Sequence, residues 1–197
     1  MRVKPMYPSD SEFAAARENA IRWARSALMS GPTYILDTET TGLVEPEIVQ
    51  IGVINLRGDT VLDTLIKPDN PDKLMQKSSR GMSAFDIHGI APDMLEGKPS
   101  LADIIHRLAI LHSATLIIYN ADYDYPLLKP HIEGKIEPRQ VLCAMKRYAE
   151  FVGQWNDHFN SFKYQKLPPI EGETAHNALS DCRATLALIN RMASSEL

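Results

Sequence analysis

The sequence predicts an α/β domain built on a mixed β-sheet. Three observations carry that expectation. Three short apolar strands follow one another in the first third of the chain, helical and strand patterns then alternate, and a long helix with one apolar face closes the sequence. Ahead of the strands, Ser9 followed by Glu12 reads as a capping box at a helix start. Phe13, Ala16, Ala20, Trp23, Ala24 and Ala27 recur at helical spacing, and Gly31-Pro32 ends that helix. The helix is one-sided, so it either lies on the main domain or serves as an arm for a partner. Tyr34-Ile35-Leu36 is the first strand, and residues 48–56 and 61–66 form a hairpin across Arg57-Gly58-Asp59. Residues 67–97 read as loop with short helical pieces. Helical spacing over 101–111, a strand at 116–119 and a short helix at 125–132 follow. Then come a fifth strand at 141–145, alone or running into a helix, and the closing helix at 175–192.

The 197 residues suffice for one domain with a sizeable core, and 44% hydrophobic with 23% charged residues is a globular balance. Against 21 Lys and Arg stand 25 Asp and Glu, a formal net charge of -4, which excludes charge-driven coating of nucleic acid. Cys143 and Cys182 are the only cysteines, too few for a zinc site and too far apart to suggest a disulfide scaffold. No apolar run approaches the roughly 20 residues of a membrane span. Arg2 and Lys4 are followed by prolines and acids rather than an apolar signal segment, so a reduced, cytoplasmic protein is expected.

Chemistry concentrates at three acidic clusters. The first strand runs into Asp37-Thr38-Glu39-Thr40-Thr41-Gly42, where residues two apart share a strand face, so Asp37 and Glu39 project together. Two adjacent carboxylates repel, and one tends to stay protonated unless a cation lies between them. Hard oxygen ligands suit Mg²⁺ or Mn²⁺. Asn120-Ala121-Asp122-Tyr123-Asp124 again puts carboxylates just past a strand end, where α/β sheets gather ligands. In His176-Asn177-Ala178-Leu179-Ser180-Asp181, five helical residues amount to about 140° net rotation, so His176 and Asp181 flank one edge. Four carboxylates and a histidine at strand ends and a helix start suit two-metal phosphoryl chemistry.

These residues resemble the DnaQ-like 3′–5′ exonucleases of the DEDD superfamily, in the histidine-bearing (DEDDh) subgroup. Asp37 to Gly42 is similar to that family's first motif, and Asn120 to Asp124 to its second, with Tyr123 where phenylalanine is usual. His176-x-Ala178-x-x-Asp181 is similar to the third motif, and Ile87-His88-Gly89-Ile90 to a segment carried between the first two. The resemblance implies a ribonuclease H-like fold: a mixed five-stranded sheet flanked by α-helices. Residues 1–32 would form an extra N-terminal lead-in and helix, and 33–197 the exonuclease domain. It also implies two Mg²⁺ or Mn²⁺ ions held by Asp37, Glu39, Asp124 and Asp181, with His176 as general base on the attacking water. The second motif selects Asp124 over Asp122, because its ligand directly follows the aromatic residue. By the same resemblance Thr40, Thr41, Gly42 and Leu43 contact the terminal nucleotide, with His88 as a further candidate. The implied reaction is stepwise hydrolysis from the 3′ end of single-stranded nucleic acid, releasing 5′-mononucleotides, with DNA favoured over RNA.

Competing readings within this frame are an exoribonuclease of the oligoribonuclease or RNase type, a phosphodiesterase acting on short oligonucleotides, or an exonuclease-like subunit docked on a polymerase. A homodimer and a polymerase or repair partner are both compatible with the resemblance. Trp155, Phe159, Phe162 and Tyr164, interleaved with Lys163 and Lys166, serve either as stacking platforms for unpaired bases or as packing for a long loop. Lys73, Lys77, Arg80 and Lys98 form a modest basic group.

Overall fold

The computed structural model describes residues 7–173 and 176–197. Helix α1 spans Asp10–Met29 and opens on the expected capping box: the Ser9 amide donates to Glu12 Oε2 at 2.7 Å, and the Glu12 amide to Ser9 Oγ at 3.4 Å. Strands β1 (Thr33–Thr40), β2 (Ile48–Asn55) and β3 (Thr60–Leu65) follow. Short helix α2 (Ala84–His88) lies between two single turns of 3₁₀-helix, Pro71–Met75 and Pro92–Leu95. The expected helix over 101–111 is split: α3 covers Leu101–Ile104 and tightens into 3₁₀-helix over Ile105–Leu111. Strand β4 (Thr115–Ile118), helix α4 (Ala121–Ile132), strand β5 (Gln140–Cys143) and helix α5 (Ala144–Val152) complete the alternation. A small hairpin of β6 (Trp155–Asn156) and β7 (Ser161–Phe162) precedes the last helix, α6 (Ala178–Ala193). That helix starts later than the expected 175; Ala175 lies outside the described residues, and His176 precedes the N-cap, Asn177.

The main sheet has the order β3-β2-β1-β4-β5. β1 pairs antiparallel with β2 and parallel with β4, so the sheet is mixed, as expected. Pairing between β1 and β4 stops at Leu36 and Ile118, although β1 runs on to Thr40. Beyond Leu36 that edge of β1 is open, and the site forms there.

The two faces of the sheet bury different helices. Ile35 and Ile54 join a core with α1, α5 and α6, through Ile21, Ala24, Phe151, Cys182 and Ile189. Leu36, Val53 and Leu116 join a second core with α4 and the 3₁₀ segment, through Leu108, Leu128 and Ile132. The alternation of β1 therefore assigns Asp37 and Glu39 to the α6 face, and Thr38 and Thr40 to the α4 face. Helix α1 is packed on its own domain: Ala20, Ile21, Ala24 and Ala27 are buried in the α5–α6 core. Its small residues let three helices pack closely, and Arg25 ties it to the end of α6 by donating to the carbonyls of Ala193 and Ser195 at 2.9 and 2.8 Å. Trp155 and Phe162 of the hairpin make edge contacts with each other and with Phe13 of α1, so these two aromatics pack the loop, while Phe159 and Tyr164 are exposed.

Where α6 begins, its backbone lies directly on β2. A β-carbon at Gly52 would sit 2.7 Å from the carbonyl carbon of Ala178 and from the amide nitrogen of Leu179, distances backbone atoms cannot accommodate. Gln50, on the same strand, stitches the contact. Its Oε1 accepts from the Ala178 amide at 3.2 Å, and its Nε2 donates to Asp63 Oδ1 at 3.1 Å. Cys182 faces the carbonyl of Gly52 at 3.3 Å and adds a thiol donor one turn further on. Gly52→Ala is expected to destabilise the protein by about 1–3 kcal/mol through forced separation of α6 from the sheet. Urea unfolding checks this, and a loss below about 0.5 kcal/mol would mean that the helix backbone can shift freely.

Candidate active site

Asp37 and Glu39 come from the end of β1, Asp124 from the first turn of α4 and Asp181 from the first turn of α6. One carboxylate oxygen each from Asp37, Glu39 and Asp181 lie within 4.8 Å of one another. Asp124 is 4% exposed and enters from the other face of the sheet, past the end of β4; Thr38 donates its hydroxyl to Asp124 Oδ1 at 2.5 Å. The competing Asp122 turns to solvent, where it pairs with Lys146 at 2.7 Å.

Burial raises all four carboxyl groups above their ordinary range. For Asp37 burial is the largest cause, followed by the charges of Asp124, Glu39 and Asp181, and the group is pushed well up. Glu39 is pushed up to about 8, by burial and then by Asp181 and Asp124. Asp124 is raised to about 6, the hydrogen bonds from Thr38 partly offsetting burial. Burial also raises Asp181, against the opposing influence of His176. A cluster that repels itself when ionised, made entirely of hard oxygen donors, fits divalent cations such as Mg²⁺ or Mn²⁺.

His176 is exposed, has a left-handed backbone (φ 58°) and stands beside Asp181, close enough to lower it electrostatically. His88 lies inward. Its Nδ1 accepts from the Ile90 amide at 3.0 Å, so Nε2 carries the proton and donates to the Thr40 carbonyl at 3.1 Å. Both ring nitrogens thus serve backbone, which makes His88 a strut between α2 and the end of β1. A cavity of about 300 Å³ opens beside Glu39. Thr40, Thr41, Gly42, Leu43 and Val44 form one wall, and Met82, Ser83, Ala84, Ile87 and His88 the other. Leu43 and Val44 are 78% and 82% exposed at its rim. The basic group read from the sequence divides here: Lys73 and Lys77 line the cavity, and Arg80 and Lys98 are exposed outside it.

Sequence reasoning missed three participants. The Thr38 hydroxyl holds Asp124, although it alternates away from the acidic face. The Tyr123 hydroxyl lies 2.7 Å from Thr40 Oγ1 and donates to the Gly42 carbonyl at 2.8 Å. Lys73 donates to the Glu45 carbonyl at 3.0 Å. Of these, only Tyr123 left a signal in the sequence: a hydroxyl where an all-carbon ring is usual.

A mixed sheet with acids gathered where its central strand outruns a neighbour is a ribonuclease H-like arrangement. The family model described as exonuclease (RNase_T) matches residues 34–189, and the chain belongs to this exonuclease family, as the resemblance to the DnaQ-like enzymes implied. An uncharacterised exonuclease, CP81, of Escherichia phage 186 is 36% identical over 91% of this chain and 95% of its own length. The DNA polymerase III epsilon subunit of Salmonella typhimurium is 32% identical over 50% of this chain and 45% of that protein. The PolC-type DNA polymerase III of Thermotoga maritima is 32% identical over 64% of this chain, which spans 9% of that polymerase. Among solved structures, exonuclease X in complex with 5′-overhanging duplex DNA superimposes with a TM-score of 0.55 and 27% identity, over 83% of this chain and 92% of that one. Exonuclease I shares the fold at 17% identity and a TM-score of 0.56, over 81% of this chain and 41% of that one.

The raised carboxyl groups fix a sign for pH dependence. Above their ordinary pKa of about 4, and up to about 8 for Glu39, the folded state holds protons that the unfolded state has released. Stability therefore falls as pH rises through that window. In EDTA the protein is expected to melt at a lower temperature at pH 8.5 than at pH 6.5. Asp37→Asn should raise the melting temperature and flatten the slope, and the stabilisation by added Mg²⁺ or Mn²⁺ should grow with pH. Thermal melts across pH check this; a slope of opposite sign would exclude burial of the carboxyl groups, with their mutual repulsion, as the dominant constraint.

Proposed function

We propose that this exonuclease is a divalent-cation-dependent 3′–5′ enzyme that releases 5′-mononucleotides from single-stranded 3′ ends, of DNA in preference to RNA. One observation carries the reading: Asp37, Glu39 and Asp181 bring carboxylate oxygens within 4.8 Å of one another, Asp124 adds its charge to them, and Glu39 opens onto an apolar-walled cavity of about 300 Å³, room for a terminal nucleoside. Asp37, Glu39, Asp124 and Asp181 would hold the cations. Bound divalent cations would supply positive charge to offset the carboxylates and the charge that develops on the phosphate and the departing 3′-oxygen.

The protein's own groups have separable tasks. His176, exposed beside Asp181, would take the proton of the attacking water on a ring nitrogen. Thr38 would fix the orientation of Asp124 through its 2.5 Å hydrogen bond. Leu43 and Val44 on one wall, and Ile87 and Met82 on the other, would shelter the terminal base and sugar from water. Gripping only a terminal nucleotide needs no broad basic surface, and two divalent cations would bring the formal charge of -4 to about neutral.

Support for DNA comes from the polymerase relatives and from exonuclease X with its duplex. The polymerase relatives also support a docked subunit as a second reading, although α1, the candidate arm, is committed to its own core.

End-labelled single-stranded DNA and RNA, incubated with Mg²⁺, Mn²⁺ or EDTA, test the reaction. Stepwise shortening of 5′-labelled DNA, abolished by EDTA, is expected, and internal cuts or release from the 5′ end would overturn the polarity. Asp181→Asn should lower the rate by about 10³-fold, the scale of several kcal/mol of lost charge stabilisation, with the fold intact. His176→Ala should lose most turnover yet retain cation binding, read by cation-induced thermal stabilisation. A normal pH–rate profile in that variant would remove His176 as the base.

A further inference from the structure

The wall of the cavity that carries Leu43 and Val44 is not a free loop. Thr41 closes its two ends: its amide donates to the Glu47 carbonyl at 2.9 Å, and its hydroxyl accepts from the Glu47 amide at 3.0 Å. Between those ends the backbone turns through left-handed conformations at Gly42 (φ 140°) and Glu45 (φ 44°). Conformation rather than crowding requires the glycine, because a β-carbon there would meet nothing within 4 Å.

Two side chains from elsewhere in the fold tie this loop on either side of its tip. On the inner side, the Tyr123 hydroxyl donates to the Gly42 carbonyl at 2.8 Å and lies 2.7 Å from Thr40 Oγ1. Tyr123 precedes Asp124 on α4, so the tie connects the loop to the helix that delivers a site carboxylate. On the outer side, Lys73 Nζ donates to the Glu45 carbonyl at 3.0 Å and lies 3.5 Å from Glu47 Oε1. The other carboxylate oxygen of Glu47 accepts from the Asp69 amide, which anchors the clamp to the segment after β3. Side chains 21% exposed for Lys73 and 25% for Glu47 keep this pair partly shielded, whereas Glu45, at 85%, adds little through its carboxylate.

We infer that Tyr123 and Lys73 are positioning residues that brace the Gly42–Glu47 loop, and so set how tightly the cavity holds the terminal nucleoside of the substrate rather than how fast the bond is cut. The inference rests on the exonuclease reading of this cavity and adds to it the residues that govern affinity. Neither side chain is a proposed cation ligand. Both side chains border the cavity, and each reaches the loop through a backbone carbonyl next to the exposed tip, and so restrains Leu43 and Val44. A loop held in its binding shape before substrate arrives spares the ordering cost on binding, which raises affinity with no new contact.

Tyr123→Phe removes only the hydroxyl, and Lys73→Met removes the charge while keeping the stem. On a single-stranded DNA substrate each variant is expected to raise KM about three- to tenfold, the weight of roughly one net hydrogen bond, with kcat within about twofold of the parent. Hydrogen exchange of the Thr41 and Glu47 amides, whose bonds close the loop, should accelerate in both. Lys73→Arg, which keeps a cationic donor, should restore KM and protection. Thermal melts confirm folding, and Lys73→Met carries the test if Tyr123→Phe does not fold. An active parent with unchanged KM in both variants, or kcat falling at constant KM, overturns the brace and leaves the exonuclease reading intact. A parent that shortens neither DNA nor RNA overturns that reading, and the brace's role in substrate binding with it.

Discussion

The closeness of α6 to β2 at Gly52 governs the geometry of the site. Gly52 is the β2 partner of Asp37 across the β1–β2 ladder. A helix whose backbone rests on that glycine must present its first turn to the face on which Asp37 and Glu39 project. Asp181 is in that turn, so one missing side chain determines how near the last carboxylate comes to the first two. The proximity is unfavourable in itself, since the charges of Asp124 and Asp181 add to burial in raising Asp37 and Glu39. Apolar packing further along α6, through Cys182, Leu188, Ile189 and Met192, holds the helix where electrostatics alone would not. The stability of the core thus maintains a strained arrangement at its edge, the usual position of a site that needs an external charge.

β1 distributes the remaining tasks by its alternation. Asp37 and Glu39 face α6, while Thr38 and Thr40 face α4, where they meet Asp124 and Tyr123 through their hydroxyls. The early end of β4 makes this possible. With no parallel neighbour beyond Leu36, the start of α4 can reach the edge of β1, and Asp124 joins acids that belong to the opposite face. His88 fixes the same strand end from a third direction by holding the Thr40 carbonyl.

Much of this was legible in the sequence because its cause is local. Alternation on one strand pairs Asp37 with Glu39, and an apolar run that stops at Tyr119 puts Asp124 past a strand end. Ser9 and Glu12 announce a helix start by reaching each other's amides. What escaped reading depends on partners far along the chain. Lys73 reads in the sequence as one member of a modest basic group, and its relation to Glu45 and Glu47 follows from how the segment after β3 folds back. The sequence pattern starts the last helix at residue 175, but Asn177, whose Oδ1 accepts from the Ser180 amide, caps a helix that begins at Ala178 and leaves His176 outside. Trp155 and Phe162 could have been stacking platforms until α1 placed Phe13 against them.

Helix α1 has a bearing on where this domain can be cut. The family match begins at residue 34, after α1 has ended, yet Ile21 and Ala24 of that helix are fully enclosed against the helix that carries Asp181. A fragment trimmed to the family boundary would keep every proposed catalytic group and lose the cover over the back of α6, together with the Arg25 tether at its end. The packed unit is therefore larger than the span that the family model matches. Swaps of this domain into other proteins, or inheritance of it by them, would have to carry the helix along or supply another apolar surface in its place.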